Sequence, residues 1–180
     1  MPPADRGHLA RGLAAADGRV ERVLDVGGGT GRAARALARD TAETDGKDVT
    51  VVDASGEMLA GARDRGLPVV RGDAGRLPFA DGSVDAVVVV DALHHFPDRD
   101  AAVRDAARVL RPGGVLVVRD FDPTTLRGRL LVAAERAVRF RSAFDAPDDL
   151  ADRFRAAGLD ARVVDRGFGY TVAGVAPGVP

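Results

Sequence analysis

The stretch Val23–Leu37, VLDVGGGTGRAARAL, constrains this chain more than any other. It reads as a buried strand, a turn of glycines and a helix that begins near Arg32. Gly27, Gly29 and Gly31 permit a tight strand-to-helix turn. They also let a ligand approach backbone that a Cβ would screen. The helix then directs its first N–H groups and the positive end of its dipole at that ligand. A turn of this kind builds a site for a nucleotide-like or anionic small molecule.

The surrounding pattern supplies the fold. Strands are expected at Val23–Val26, Val49–Asp53, Pro68–Arg71, Ala86–Val90 and Val115–Arg119, and helices at Arg32–Arg39, Ser55–Asp64 and Arg99–Val109. Runs such as AVVVV at 86–90 are apolar throughout, which suits strands covered on both faces. The alternation predicts an α/β fold: one Rossmann-like, doubly wound domain with a mostly parallel sheet and helices on both faces. The last third breaks the rhythm. Thr124–Arg141 and Pro147–Ala157 read as helices. Ala161–Asp165 and Phe168–Val175, separated by Arg166-Gly167, read as an antiparallel C-terminal hairpin that brings the sheet to seven strands. Residues 1–20 read as an N-terminal helical segment, and Ala176–Pro180 as a frayed tail.

Composition bounds the function. With 180 residues, 46% of them hydrophobic, a single domain over 1–180 with a sizeable core is expected. The net charge of −1 gives no electrostatic case for nucleic-acid binding. There is no cysteine, which excludes disulfides, thiolate metal sites and a cysteine nucleophile and is compatible with a cytoplasmic location. No apolar run approaches a membrane span, and the first residues lack the apolar core of a signal peptide.

Three acidic positions surround the glycine turn. Asp53 ends the second strand, 22 residues after Gly31, where a carboxylate accepts from ribose hydroxyls and repels a 2′-phosphate. Asp is also a common strand-end turn residue. Asp25 precedes the turn, giving D-x-G-x-G-x-G. An acid there disfavours a pyrophosphate and welcomes an ammonium or sulfonium group, and it also suits capping the turn. Asp73, in RGDAGRLPF at 71–79, stands at the end of the third strand, where an acceptor binds the exocyclic amine of adenine. To this point a nicotinamide-dependent oxidoreductase remains a competing reading. It would show G-x-G-x-x-G and a Tyr-x-x-x-Lys pair, yet the only tyrosine is Tyr170 and the only lysine is Lys47.

The segments VLDVGGGTG (23–31), VTVVDASGEML (49–59), GDAGRLPF (72–79), SVDAVVVVDALHHFPD (83–98) and ARVLRPGGVLVVRDFD (107–122) together resemble the class I S-adenosylmethionine-dependent methyltransferases. The chain is most similar to the small-molecule branch that includes the ubiquinone and menaquinone C-methyltransferases. The resemblance implies S-adenosylmethionine as cofactor and a small-molecule methyl acceptor. It places Gly27 and Gly29 against the methionine moiety, with Thr30 and Gly31 completing the turn. It assigns Asp25 to the amino group, directly or through water, and Asp53 to the ribose. Ala54 and Met58 would line the adenine pocket, positions that suit ordinary core packing equally well. Asp73 and Ala74 would bind adenine, and Asp91 would lie beside the methionine and sulfonium.

His94 and His95 follow the fourth strand, at the end of the sheet where such folds bind ligands. They are candidates for a general base or for positioning the acceptor, or they simply pack and cap. No metal is expected, because no third ligand stands at suitable spacing. Asp120 and Asp122 after the fifth strand face the same mouth, either as partners for polar groups of the substrate or as turn residues before Pro123. Arg111-Pro-Gly-Gly114 reads as a turn whose glycines take positive φ. Residues 124–145 are the expected helical cover of the acceptor. Leu126, Leu130, Ala133 and Ala137 share one helical face, opposed by Arg129, Arg136 and Arg139. The apolar face suits packing on the core or covering an apolar acceptor, and the arginine face suits solvent or peripheral contact with anionic lipid. About two dozen residues precede the first strand, fewer than many relatives use as a lid, so a non-catalytic cofactor binder is a third reading. A monomer or homodimer is expected.

Overall fold

The computed structural model describes residues 3–38, 47–137 and 142–178. In chain order the elements are α1 (Pro3–Leu13), β1 (Arg22–Val26), α2 (Arg32–Ala38), β2 (Asp48–Asp53), α3 (Gly56–Arg63), β3 (Val69–Arg71), β4 (Val84–Val90), α4 (Arg99–Val109), β5 (Leu110–Phe121), α5 (Leu126–Ala137), α6 (Pro147–Ala156), β6 (Asp160–Asp165) and β7 (Gly169–Val175). A 3-10 turn, Leu93–His95, joins β4 to α4. Arg39, the end of the first expected helix, lies outside the described residues, as do the side chains at Arg136, Ala137 and Arg139.

The strands form one seven-stranded sheet in the order β3-β2-β1-β4-β5-β7-β6. The first five run parallel, while β7 pairs antiparallel with β5 and β6. The fold class read from the sequence is therefore the observed one. From β1 the chain winds outward to β2 and β3, then returns to place β4 on the other side of β1. This reversal opens a crevice beyond the carboxyl ends of β1 and β4, the usual ligand position in open α/β sheets.

Strand period divides the core in two. Leu24, Val26, Val87, Val89, Leu116 and Val118 point to the face covered by α4 and α6, where they meet Val103, Ala106, Leu150 and Phe154. Val23, Val51, Ala86, Val88, Val115 and Val117 point to the other face, against Leu9 and Leu13 of α1, Ala34 and Leu37 of α2 and Leu59 of α3. Caps fix where the helices begin. Ser55 Oγ accepts from Met58 N at the start of α3, and Asp98 Oδ1 accepts from Ala101 N at the start of α4.

Two arginines fasten connections to the sheet. Arg108 donates to Leu77 O, Phe79 O, Asp81 and Asp105. Arg111 pairs with Asp85 at 2.5 Å and donates to Asp17 O and Arg19 O. The Arg111-Pro-Gly-Gly114 segment differs from its expectation. It is an irregularity inside β5, between the pairs Val84–Leu110 and Ala86–Val115. Only Gly113 takes positive φ (75°). Gly114 is required for space, since a Cβ there would stand 2.9 Å from Arg111 O and Asp85 O.

The rotation of α5 also differs from the expected one. Leu126 and Leu130 are 77% and 65% exposed, and Ala133 is exposed, so this stripe faces outward rather than onto the core. Gly128, Leu131 and Glu135 turn inward instead. The first turn decides this. Asp122 Oδ1 accepts from Thr124 N, Thr125 Oγ1 donates to Asp122 O, and Gly128 N donates to Thr125 Oγ1. A Cβ on Gly128 would collide with Asp122 O, so glycine is required there for the helix to close against the end of β5.

The contrast is testable by thermal denaturation. Truncation of fully buried Leu116 to Ala should cost about 2–5 kcal/mol, whereas Leu126→Ala should change stability by less than about 0.5 kcal/mol. A loss of similar size at Leu126 would contradict the outward stripe.

Candidate active site

The glycine turn leaves the end of β1 and is held on three sides. Gly27 N and Gly28 N donate to Val52 O of β2 at 2.8 and 3.3 Å. Asp53 Oδ2 accepts from Gly29 N at 2.9 Å, while its Oδ1 accepts from Ser55 N at 2.8 Å. Asp25 is fully buried, and its Oδ2 accepts from Ala34 N in the first turn of α2 at 2.9 Å. Burial pushes the Asp25 carboxyl up to about 6, opposed by the Ala34 bond and reinforced by the neighbouring Asp53. Its Oδ1 is buried with no hydrogen-bond partner among the described residues.

The glycines have different jobs. A Cβ at Gly27 would sit 2.8 Å from Ala92 Cβ, at Gly28 2.6 Å from Asp25 Cγ, and at Gly31 2.2 Å from Leu67 Cδ1. Those three are required by neighbouring protein, and Gly28 was not singled out from sequence. Gly29, at φ 55°, is different, because the nearest atom to its absent Cβ is Asp53 Oδ2 at 4.0 Å. Open backbone of the kind a ligand can approach is therefore found at Gly29. Thr30 is exposed, with its methyl toward Gly61 of α3.

A pocket of about 430 Å³ opens beside this turn, within the usual range for small-molecule sites. Gly27, Asp53, Ala54, Asp73, Ala74 and His95 are among its walls, joined by Phe96 and Pro97 from the segment after β4. Asp73 Oδ1 accepts from Gly75 N at 2.8 Å, and this local turn orients the carboxylate. The structure thus brings together the ends of β1, β2 and β3 as expected. Met58 is the exception: it is 49% exposed on α3 and does not line this pocket. Its backbone N–H is committed to the Ser55 cap, which starts the helix with the side chain outward.

Asp91 follows β4 with φ 53°, a left-handed conformation that is uncommon outside glycine and that Asp adopts more readily than most residues. Its carboxylate pairs with Arg32 Nη2 at 2.5 Å. Burial raises the Asp91 pKa, against the attraction of Arg32. Arg32 was missed from sequence, although a cation in the first turn of a helix opposes the dipole and so signals an acidic partner.

The histidine pair sits just beyond. His94 is buried; its Nδ1 lies 2.6 Å from Asp120 Oδ1, and its backbone N donates to Asp120 Oδ2. Asp120 thus fixes the ring, and Phe144 stacks on it at 4.3 Å. Phe121 lies 6.2 Å from His94 and 5.0 Å from Phe168, so the region carries several aromatic rings. His95 reaches the pocket, with its Nδ1 3.2 Å from Ser142 Oγ. Burial, then the neighbouring His94, lowers its pKa. Sequence spacing places no third donor beside the histidines, but the fold brings one from elsewhere in the chain. Glu135 of α5 comes to the pair, with one ligand atom from each of His94, His95 and Glu135 within 4.8 Å of one another. Sequence spacing held no signal for it, because the helix rotation that brings it inward is set at Gly128.

The methyltransferase domain family matches residues 24–118. The chain is 43% identical over 110 residues to a demethylmenaquinone methyltransferase of Mycobacterium sp. (strain KMS), a match covering 61% of this chain and 46% of that protein. With the demethylmenaquinone methyltransferase of Mycolicibacterium paratuberculosis, identity is 37% over 166 residues, covering 88% and 70%. That longer match aside, the chain spans about half the length of the curated relatives it matches, 40% to 46%. A SAM-dependent methyltransferase from Thermotoga maritima shares the fold, with a TM-score of 0.76, 24% identity, and coverage of 95% of this chain and 89% of that one.

The raised Asp25 pKa makes a pH prediction. Between 3.8 and about 6 the folded state holds a proton that the unfolded state releases, so this group lowers stability as pH rises through that window. Relative to Asp25→Asn, wild type should lose about 2 kcal/mol from pH 4 to pH 6 and level off above about pH 7. Parallel stability curves for the two proteins would contradict the assignment.

Proposed function

The chain belongs to the methyltransferase domain family, and from that premise we propose that it transfers a methyl group from S-adenosylmethionine to an apolar, quinone-like small molecule. The observation that carries the cofactor is the pocket wall. Two carboxylates, Asp53 and Asp73, line it, and among the described residues no arginine or lysine does. Such a wall disfavours a pyrophosphate and suits a nucleoside joined to a cationic chain. This separates the reading from a nicotinamide-dependent oxidoreductase.

The residues fit that ligand from end to end. Asp53, already oriented by Gly29 and Ser55, accepts from the ribose hydroxyls with its remaining lone pairs. Asp73 and the backbone of Ala74 take the adenine edge, and Ala54 lines the same wall. Gly29, with Gly27 beside it, lets the methionine chain lie along backbone. Asp25 supports the amino-group end from beneath the turn through its unpartnered Oδ1, and the Asp91–Arg32 pair borders the sulfonium end.

S-adenosylmethionine supplies a methyl already activated on sulfur, and transfer leaves S-adenosylhomocysteine and releases the acceptor's proton. The protein's work is alignment, which is worth up to about 7–11 kcal/mol in well-oriented intramolecular reactions. His95 at the pocket edge and His94 held by Asp120 form the polar part of the acceptor wall and position its oxygen. Phe121, Phe144 and Phe168 supply aromatic surface on the same side. The names of the curated relatives, demethylmenaquinone methyltransferases, support a quinone-like acceptor.

Incubation of the protein with methyl-labelled S-adenosylmethionine and a demethylated naphthoquinone should yield labelled quinone. Asp53→Ala should weaken cofactor binding about tenfold to 150-fold, as expected for loss of a charged hydrogen-bond acceptor worth about 1.5–3 kcal/mol. Absence of label in the quinone together with unchanged binding in Asp53→Ala would defeat the proposal.

A further inference from the structure

We propose that His94, His95 and Glu135 form a divalent transition-metal site on the acceptor side of the pocket. The three come from two distant parts of the chain, the 3-10 turn after β4 and the inward face of α5. One ligand atom from each lies within 4.8 Å of the others. Consecutive residues of a 3-10 turn normally point about a third of a turn apart. Here the two imidazole rings are only 4.0 Å apart, tilted by 56°. Specific contacts hold them so: Asp120 on His94 Nδ1, Phe144 stacked on the His94 ring, and Ser142 Oγ on His95 Nδ1.

The donor set matches the chemistry of a borderline cation. Two imidazoles and a carboxylate bind zinc in open catalytic sites and iron(II) in facial triads, leaving positions for a substrate oxygen. Without thiolates, the set suits Zn²⁺, Fe²⁺, Co²⁺ or Mn²⁺. A metal-bound histidine usually has its other nitrogen held by a carboxylate, which is the arrangement of His94 with Asp120. Glu135 Oε2 supplies an independent observation. It is buried with no hydrogen-bond partner among the described residues, although buried carboxylate oxygens are ordinarily satisfied. A cation between the rings and this oxygen completes the site.

His95 also lines the pocket, so an open coordination position there faces the acceptor. The cation would hold a ketone or phenolic oxygen of the acceptor and withdraw charge from it. This goes beyond the methyl-transfer proposal, and its test needs no cofactor, so each can fail without the other.

The test uses the full chain without an affinity tag, titrated with Co²⁺ and followed by visible absorption, with Zn²⁺ as competitor. One equivalent of Co²⁺ should bind, with the absorption of a nitrogen- and oxygen-ligated ion, and Zn²⁺ should displace it. Glu135→Gln and His95→Asn should each weaken binding at least about tenfold, and Asp120→Asn about 10- to 100-fold through the His94 ring. Circular dichroism of each variant checks that the fold is retained. No uptake of Co²⁺ by wild type would overturn the site. So would uptake that is equal in wild type and folded Glu135→Gln, since the ion would then sit elsewhere, for example near His8 and Asp165.

Discussion

Two carboxylates, Asp25 and Asp53, hold the glycine turn through backbone N–H groups, and the geometry of the pocket depends on that grip. Asp25 reaches from inside β1 to Ala34, fixing the direction in which α2 leaves the turn. Asp53 reaches from the end of β2 to Gly29, fixing the turn against the neighbouring strand. The backbone carbonyl of Val52 adds two further bonds to Gly27 and Gly28. The turn is thus fastened from both flanking elements, while Gly29 keeps one face of backbone open. Asp53 serves twice, since the carboxylate that shapes the turn also lines the pocket.

Electrostatics then select among ligands. The positive end of α2 alone would suit a phosphate. Here Asp53 and Asp73 line the pocket, Asp25 lies buried beneath the turn, and Asp91 beside it neutralises Arg32 at the helix start. A helix terminus used elsewhere for anions therefore borders an acidic cleft. That change, rather than the number of glycines, separates a site for a cationic nucleoside from a dinucleotide site.

Much of this was legible in the sequence. β4 is sheltered on both faces and reads as an apolar run, and the short Arg166-Gly167 gap announced the terminal hairpin. Asp53 and Asp73 fell at strand ends, where the topology brings them to one pocket. The sequence was silent where tertiary contact decides. The stripe Leu126–Leu130 has helical spacing, yet Gly128 and the Asp122–Thr125 hydrogen bonds rotate it outward. Met58 stands at a suitable position along the chain, yet the Ser55 cap directs α3 so that its side chain leaves the pocket. Gly28 is required by Asp25 and Gly31 by Leu67, contacts that no local pattern records. Glu135 joined the histidines only because α5 turned the opposite face inward.

The central claim is that this acidic, glycine-walled cleft takes a sulfur-linked nucleoside. Its most direct test is a crystal structure of the protein with S-adenosylhomocysteine. The account predicts the ribose hydroxyls on Asp53, the adenine amine on Asp73 and the homocysteine chain along Gly29. A ligand placed elsewhere, or a protein that takes up NADH in this cleft and leaves S-adenosylhomocysteine unbound, would contradict it.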